Sequence, residues 1–268
     1  SRIRAYNMNI AVTGATGRMG KSVIEEILQR SDSSTVSFAT SQKTQKELPN
    51  HLSSVEFPIC NPLDFSSQLQ ESLPDVIIDL TVPEASLFFA ENAAKFSIPL
   101  VIGTTGFTDE QLNVLHDLSN EIPILFEANF SRGIASLHLA IDAISDVLFN
   151  YDVELTETHH NKKIDAPSGT LLSILDTIKK FRPNLEAIYG RSGIHERQPN
   201  EDGVHSVRAG NIRGSHEVLF SGNDEMITLT HQAESRGVYS SGAIDSAIWL
   251  SNQPPGWYDF KDVLGVST

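Results

Sequence analysis

Asn9-Ile10-Ala11-Val12-Thr13-Gly14-Ala15-Thr16-Gly17-Arg18-Met19-Gly20 is the stretch that decides the fold. A short apolar run, Asn9–Thr13, leads into glycines spaced Gly-x-x-Gly-x-x-Gly. A helical stripe of Met19, Val23, Ile24, Ile27 and Leu28 follows. Strand, glycine turn and amphipathic helix in that order open a dinucleotide-binding βαβ unit. The spacing is not the strict Gly-x-Gly-x-x-Gly, but the physics carries over. A tight turn needs glycine, a pyrophosphate needs close backbone approach, and a helix N-terminus attracts negative charge. Gly14, Ala15, Thr16, Gly17, Arg18 and Met19 are therefore candidate cofactor contacts.

The alternation continues. Thr35–Ala39 reads as a second strand, and Asp75–Leu80 is nearly continuous apolar, as a buried parallel strand should be. A helix is expected over Glu84–Phe96, a strand over Pro99–Ile102, a helix from Thr108 with Gln111 as capping-box partner, and a strand over Ile122–Phe126. Repeated units of this kind predict a doubly wound parallel sheet, a Rossmann domain, over residues 1–130. Ligands of such sheets bind beyond the carboxyl ends of the strands. That makes Gly103, Thr104, Thr105, Glu127, Ala128, Asn129 and Phe130 further candidate cofactor contacts. An acid after the second strand would hold the ribose hydroxyls of NAD, but the chain has Phe38-Ala39-Thr40-Ser41-Gln42-Lys43. Thr40, Ser41 and Lys43 suit a 2′-phosphate, so NADPH is the expected cofactor, with NADH possible.

The pattern changes after residue 130. A long helix over about 134–148 precedes Asp152–Glu157, where Val153 and Leu155 alternate with acids. Strand-like runs at Val204–Arg208, His216–Phe220 and Met226–His231 follow, with Gly222-Asn223-Asp224 as a hairpin connection and Gly242–Leu250 as a last helix. This is an α+β domain with an open, mainly antiparallel sheet. Within it, residues 157–170 read Glu-Thr-His-His-Asn-Lys-Lys-Ile-Asp-Ala-Pro-Ser-Gly-Thr. Histidine moves protons near neutral pH, lysine supplies a positive charge or a proton, and a helix start binds anions. The stretch therefore suits a small, multiply anionic substrate undergoing proton transfer. Paired histidines and lysines are usually plain solvated surface, but here Pro167, Ser168 and the stripe Leu171, Leu172, Leu175, Ile178 fix where the loop points.

Composition sets the outer bounds. The 268 residues are 40% hydrophobic and 20% charged, ordinary for a globular protein. A net charge of −14 argues against nucleic acid or an anionic membrane as partner. No apolar run is long enough to span a bilayer, and Ser1–Asn7 does not read as a secretory signal. The single cysteine, Cys60, between prolines, reads as structural and fits a reducing, cytoplasmic setting. No metal site is indicated.

Taken together, Gly-Ala-Thr-Gly-Arg-Met-Gly at 14–20, Gly-Thr-Thr-Gly at 103–106, Ala-Asn-Phe-Ser at 128–131, the 157–170 block, Val-Arg-Ala-Gly-Asn-Ile at 207–212 and Ser-Arg at 235–236 resemble the dihydrodipicolinate reductase family of lysine and diaminopimelate biosynthesis. The resemblance runs from about Asn9 to Val263. It implies an oxidoreductase with a substrate-binding and tetramerisation domain over 131–239, residues 240–268 packing back on the first domain, and domain closure that excludes water. It also implies His159 as acid–base histidine, Lys163 as proton donor, His160 as substrate-binding, and Ser168, Gly169 and Thr170 as the grip on a carboxylate of a dicarboxylate substrate. The chain departs from the family in lacking an acid after the second strand, and Lys162 beside Lys163 offers a second ammonium. Two other readings share the glycine turn: a different NAD(P)-dependent dehydrogenase of amino-acid metabolism, and a non-catalytic NADP(H)-sensing protein.

Overall fold

The computed structural model describes residues 8–31, 34–43, 47, 49–50 and 52–266, so the reading of Ser1–Asn7 lies outside the described residues. The chain divides into two compact units, one up to Phe130 and from Gly237 onward, the other Ser131–Arg236.

The first unit is built on a parallel sheet. Its strands are β1 (Met8–Thr13), β2 (Ser34–Thr40), β3 (Ile59–Cys60), β4 (Val76–Asp79), β5 (Leu100–Ile102), β6 (Pro123–Phe126) and β12 (Gly256–Tyr258). The order is β12-β6-β5-β4-β1-β2-β3, and every pairing is parallel. The order reverses direction between β1 and β4, which is the switch point where such sheets take ligands. Ile10, Ala11 and Val12 of β1 and Val76–Ile78 of β4 are fully buried, as strands covered on both faces must be.

Helices α1 (Arg18–Gln29), α2 (Phe65–Ser72), α3 (Pro83–Lys95) and α4 (Asp109–Leu118) connect these strands. In α1, Val23, Ile24 and Ile27 face the core, whereas Leu28 is 58% exposed and falls off the expected stripe. The Thr108–Gln111 capping box of α4 is formed in both directions. Helix α2 and strands β3 and β12 were not legible in the sequence: they are short, and short elements carry too few periods to stand out. Phe65 of α2 is nevertheless central, with its ring 5.8 Å from Phe38 and 4.7 Å from Phe89. Helix α7 (Gly237–Leu250) begins before the expected Gly242. It packs on α1 and on β4, β5 and β6. Ser240 meets Ser22 at 2.8 Å, and Asp245 meets Arg30 at 2.8 Å. The closing helix α8 (Phe260–Leu264) sets Phe260 edge-on against Phe130, with ring centroids 5.9 Å apart.

The second unit contains α5 (Arg132–Ser145), β7 (Asp152–His159), α6 (Gly169–Lys179), β8 (Glu186–Tyr189), β9 (Glu201–Arg208), β10 (Ser215–Ser221) and β11 (Met226–Gln232). Its sheet runs β11-β10-β7-β9-β8. It is mixed rather than mainly antiparallel: β11, β10 and β7 alternate in direction, while β7, β9 and β8 are parallel. The reason is α6. It makes the connection from β7 to β8 and β9 a crossover, which brings those two strands back parallel to β7. The β10–β11 hairpin turns at Gly222–Glu225, as the sequence indicated, with the Gly222 amide donating to the Glu225 carbonyl at 2.9 Å.

Strand β7 buries alternate residues, Val153, Leu155, Glu157 and His159. The first two enter the core with Ile174, Leu175 and Ile178 of α6 and Val218 and Phe220 of β10. The last two continue the same face where the apolar core ends. That register is what builds the second unit's site.

Candidate functional site

In the first unit the glycine turn is shaped by contact. Gly14 has φ of +79°, and a side chain there would meet the Leu80 carbonyl oxygen at 2.5 Å. A Cβ at Gly20 would run into the carbonyl of Gly14. The turn can therefore take only hydrogen at both ends. Gly17 sits at the N-cap of α1 with no side chain to occupy the first-turn amides, which leaves them for an anion. Arg18 is exposed at the first position of the helix, Met19 half-buried, and Ala15 fully buried.

A cleft of about 310 Å³ opens beside the turn, lined by Gly14, Thr16, Gly17, Thr40, Ser41 and Gln42 on one side and by Leu80–Val82, Ala85, Phe89 and Pro62 on the other. No carboxylate lines it among the described residues. Of this wall, Val82 belongs to a loop expected beyond the carboxyl ends of the strands, whereas Ala85 and Phe89 of α3 and Pro62 had not been singled out in the sequence. Thr40 lines the cleft but is only 1% exposed, and its hydroxyl accepts from the Gly14 amide at 3.3 Å. Ser41 takes the Lys43 amide at 2.9 Å, and Lys43 itself is exposed.

Asp79, at the end of β4, is wholly buried. It accepts from Thr13 at 2.5 Å, Thr81 at 2.7 Å, Thr104 at 2.8 Å and from Ser86. Burial raises its carboxyl above the usual range, and the four hydroxyls pull it back. The side chain of Thr104 is thus taken up inside the protein, where it also accepts the Thr81 amide at 2.8 Å. Gly103 packs on Leu80 and Phe130, while Thr105 is exposed. Glu127, also expected on the cofactor side, accepts the amides of Asn129 at 3.1 Å and of Phe260 at 3.4 Å, where α8 begins. Phe130 is core, while Ala128 is exposed and Asn129 half-buried. Cys60 is half-buried, and burial pushes its thiol up to about 11, which keeps it unreactive.

In the second unit the site centres on Glu157, a residue to which the sequence reading gave no role. Its carboxylate is wholly buried. It accepts from Arg208 at 2.7 and 3.0 Å, from the Ser168 amide at 3.2 Å and from Nδ1 of His159. Register explains the gathering. In the sheet Glu157 lies opposite Ser206 of β9 and His216 of β10, His159 opposite Arg208, and His216 opposite His231. All of these side chains share the helix-covered face. Burial alone would raise Glu157, but bonds from Arg208, His159 and Ser206 outweigh it and hold the carboxylate low. His159 is pushed below the usual range by burial, with Glu157 opposing.

Lys163 and Lys162 part company here. Lys163 sits close enough to His159 for its charge to act on that ring, and its ammonium pairs with both oxygens of Asp165 at 2.8 Å. Lys162 is exposed. His160 is half-buried with Nδ1 enclosed and without a hydrogen-bond partner. Ser168 caps α6 by accepting the Leu171 amide at 3.1 Å and also meets His216 Nε2 at 3.3 Å. With its amide on Glu157, Ser168 serves the fold first. Gly169 and Thr170 are the first residues of α6, so their backbone amides head the helix.

Residues 8–130 match the family model described as dihydrodipicolinate reductase, N-terminus, and residues 133–264 match the one for its C-terminus. The chain belongs to the dihydrodipicolinate reductase family. The 4-hydroxy-tetrahydrodipicolinate reductase of Haloarcula marismortui is 44% identical over 95% of this chain and 98% of its own. That of Natronomonas pharaonis is 43% identical over 96% of this chain and all of its own. Among solved structures, the dipicolinate-bound dihydrodipicolinate reductase of Paenisporosarcina sp. TG-14 superimposes with a TM-score of 0.78 over 95% of this chain and 98% of that one, at 25% identity.

Within this reductase fold, His216 and His231 extend the histidine group beyond the sequence reading: the His216 ring lies 5.2 Å from His159 and 6.3 Å from His231, which meets Ser131 Oγ at 3.2 Å. Their alternation with Val218 and Leu229 on neighbouring strands was the available signal. Burial pushes His216 down to about 4. A histidine held low in the folded state takes up its proton only on unfolding, so stability is lost as pH falls from about 6.5 toward about 4. His216 alone should cost about 2 kcal/mol at pH 5. Urea denaturation of the reductase and of His216→Gln at pH 7 and pH 5 checks this. Identical losses in both proteins would refute the assignment.

Proposed function

We propose that this chain holds NADPH on its first unit and binds and protonates a ring dicarboxylate on its second, and so catalyses the reduction of 4-hydroxy-tetrahydrodipicolinate to tetrahydrodipicolinate. It is an oxidoreductase of the lysine and diaminopimelate pathway. The single observation that carries the proposed mechanism is the Glu157–His159 pair beside Lys163, at the start of α6.

The residues fit the cofactor. The glycine turn admits no Cβ at positions 14 and 20, and the α1 start faces an open cleft. Gly14, Gly17 and the first-turn amides hold the pyrophosphate there, with Arg18 at hand for further phosphate charge. When bound, the reduced nicotinamide supplies a hydride. On the second unit, Gly169 and Thr170 meet one substrate carboxylate through the helix start, and His160 and Lys163 meet the remaining negative charge. The 4-hydroxyl leaves as water, and hydride addition at the carbon then conjugated to the ring imine places electron density on the ring nitrogen, where a proton must meet it. Lys163 delivers that proton, while His159, neutral near pH 7 because burial holds it low, takes part in the proton exchange. The dipicolinate bound by the Paenisporosarcina relative is a planar ring dicarboxylate, which supports this class of substrate.

The absence of a carboxylate among the described cleft residues, together with Ser41 and Gln42 at the end of β2, supports NADPH over NADH. The open face of the second sheet carries Val207, Met226, Thr228 and Thr230, all exposed, and supports assembly as a homotetramer. No helix among the described residues is long and apolar enough to cross a membrane. We take the enzyme to work in the cytoplasm.

The test is loss of nicotinamide absorbance with substrate generated in situ, run with both cofactors. Turnover with a higher kcat/KM for NADPH is expected. A tenfold preference for NADH, about 1.4 kcal/mol in transition-state stabilisation, overturns the cofactor assignment. Binding without turnover would point to a sensing protein instead.

A further inference from the structure

We infer that Glu157 is the positioning residue of the proton-transfer site, fixing His159 through Nδ1 while Arg208 fixes Glu157. The inference rests on the reading of His159 as an acid–base group.

Glu157 and His159 are two apart on β7 and share one face of the strand. One carboxylate oxygen of Glu157 takes His159 Nδ1 and one Arg208 nitrogen, and the other takes the second Arg208 nitrogen and the Ser168 amide. Every lone-pair direction of a buried carboxylate is thus used. Arg208 reaches further, donating to the Asp165 carbonyl at 2.6 Å, and Asp165 in turn holds Lys163. A single buried anion therefore ties together the histidine, the loop that carries the lysine, and the start of α6.

The chemical consequence is a choice of tautomer. An ionised carboxylate only accepts, so Nδ1 must carry hydrogen. Nε2 is then the nitrogen that gains and loses the proton, the same logic by which a carboxylate orients the histidine of a hydrolytic triad. The other groups facing the ring are Lys163 from the loop, Arg208 from β9, and His216 from β10 with His231 behind it. The two cations disfavour the imidazolium, and His216 is neutral over the working range. Glu157 is the one group among these that favours the charged ring.

The wild-type protein itself gives the first readout. Nitrogen-15 NMR of His159 should show the Nδ1–H tautomer between pH 7 and 8, and an Nε2–H tautomer overturns the inference. Glu157→Gln, which keeps the shape, should mix the tautomers and lower the apparent pKa seen in the acidic limb of kcat/KM by about one unit. It should also reduce kcat by roughly 10- to 100-fold with KM for both substrates nearly unchanged. Glu157→Asp should recover part of that loss. Unchanged tautomer and pH profile in Glu157→Gln would mean a structural role only. A wild-type rate in His159→Ala would instead sink the acid–base reading on which the inference rests, whatever Glu157 does.

Discussion

Lys163→Ala should lower kcat by about 100- to 10,000-fold, the range for removal of a positioned general acid, and His159→Ala should do the same. The geometry sharpens the expectation for the lysine pair. Lys163 pairs with the Asp165 carboxylate and acts electrostatically on His159, whereas Lys162 is exposed. Lys162→Ala should therefore change kcat little. NADPH affinity should hold in all three variants, because the glycine turn belongs to the first unit. Steady-state kinetics with calorimetric NADPH titration decides the matter. If Lys162→Ala is the crippling change and Lys163→Ala is nearly silent, the assignment is off by one residue. Small effects in all three would reduce the loop to surface.

Gly17→Asp should abolish useful dinucleotide binding while leaving the protein folded. Gly17 has φ of −73° and ψ of 164°, ordinary extended backbone at an N-cap, and aspartate is a favoured N-cap residue. A Cβ there meets nothing closer than the Gly14 carbonyl oxygen at 3.2 Å, so a small adjustment accommodates it. What changes is the charge. A carboxylate about 4 Å from a phosphate repels it by roughly 4 kcal/mol at the effective dielectric of a protein surface, about a thousandfold in Kd. It also occupies the first-turn amides that would hold the phosphate. The variant should show wild-type thermal stability without ligand and no stabilisation by NADPH. Unchanged affinity would place the phosphates elsewhere. Gly20→Ala makes the contrast: its Cβ strikes the Gly14 carbonyl, so there the fold itself should suffer.

The first unit was legible because its signals are local. A buried parallel strand is a continuous apolar run, a glycine turn follows it directly, and α4 declares its own cap at Thr108. The second unit's loop was legible as a dense block of His, Lys and Ser. Its organising residue was not. Glu157 looks like one more acid alternating with Val153 and Leu155, and only the pairing of β7 with β9 and β10 brings Arg208 and His216 to it from far along the chain. The same holds for the mixed sheet: hairpin turns are written locally, but whether β7 and β9 run parallel depends on where α6 crosses. The internal partners of Thr40 and Glu127 were hidden for a related reason: the backbone amides of Gly14, Asn129 and Phe260 that they accept from meet them only in the folded chain.

Asp79 shows what such long-range claims mean for the history of a sequence. Thr13 on β1, Thr81 and Ser86 just past β4, and Thr104 just past β5 answer to one buried carboxyl. Any one of them replaced by an apolar residue leaves that carboxyl short of a partner, and Asp79 replaced alone leaves four hydroxyls facing one another. The five positions are therefore coupled: changing one alone is expected to cost stability that exchanging all five together for apolar residues would not.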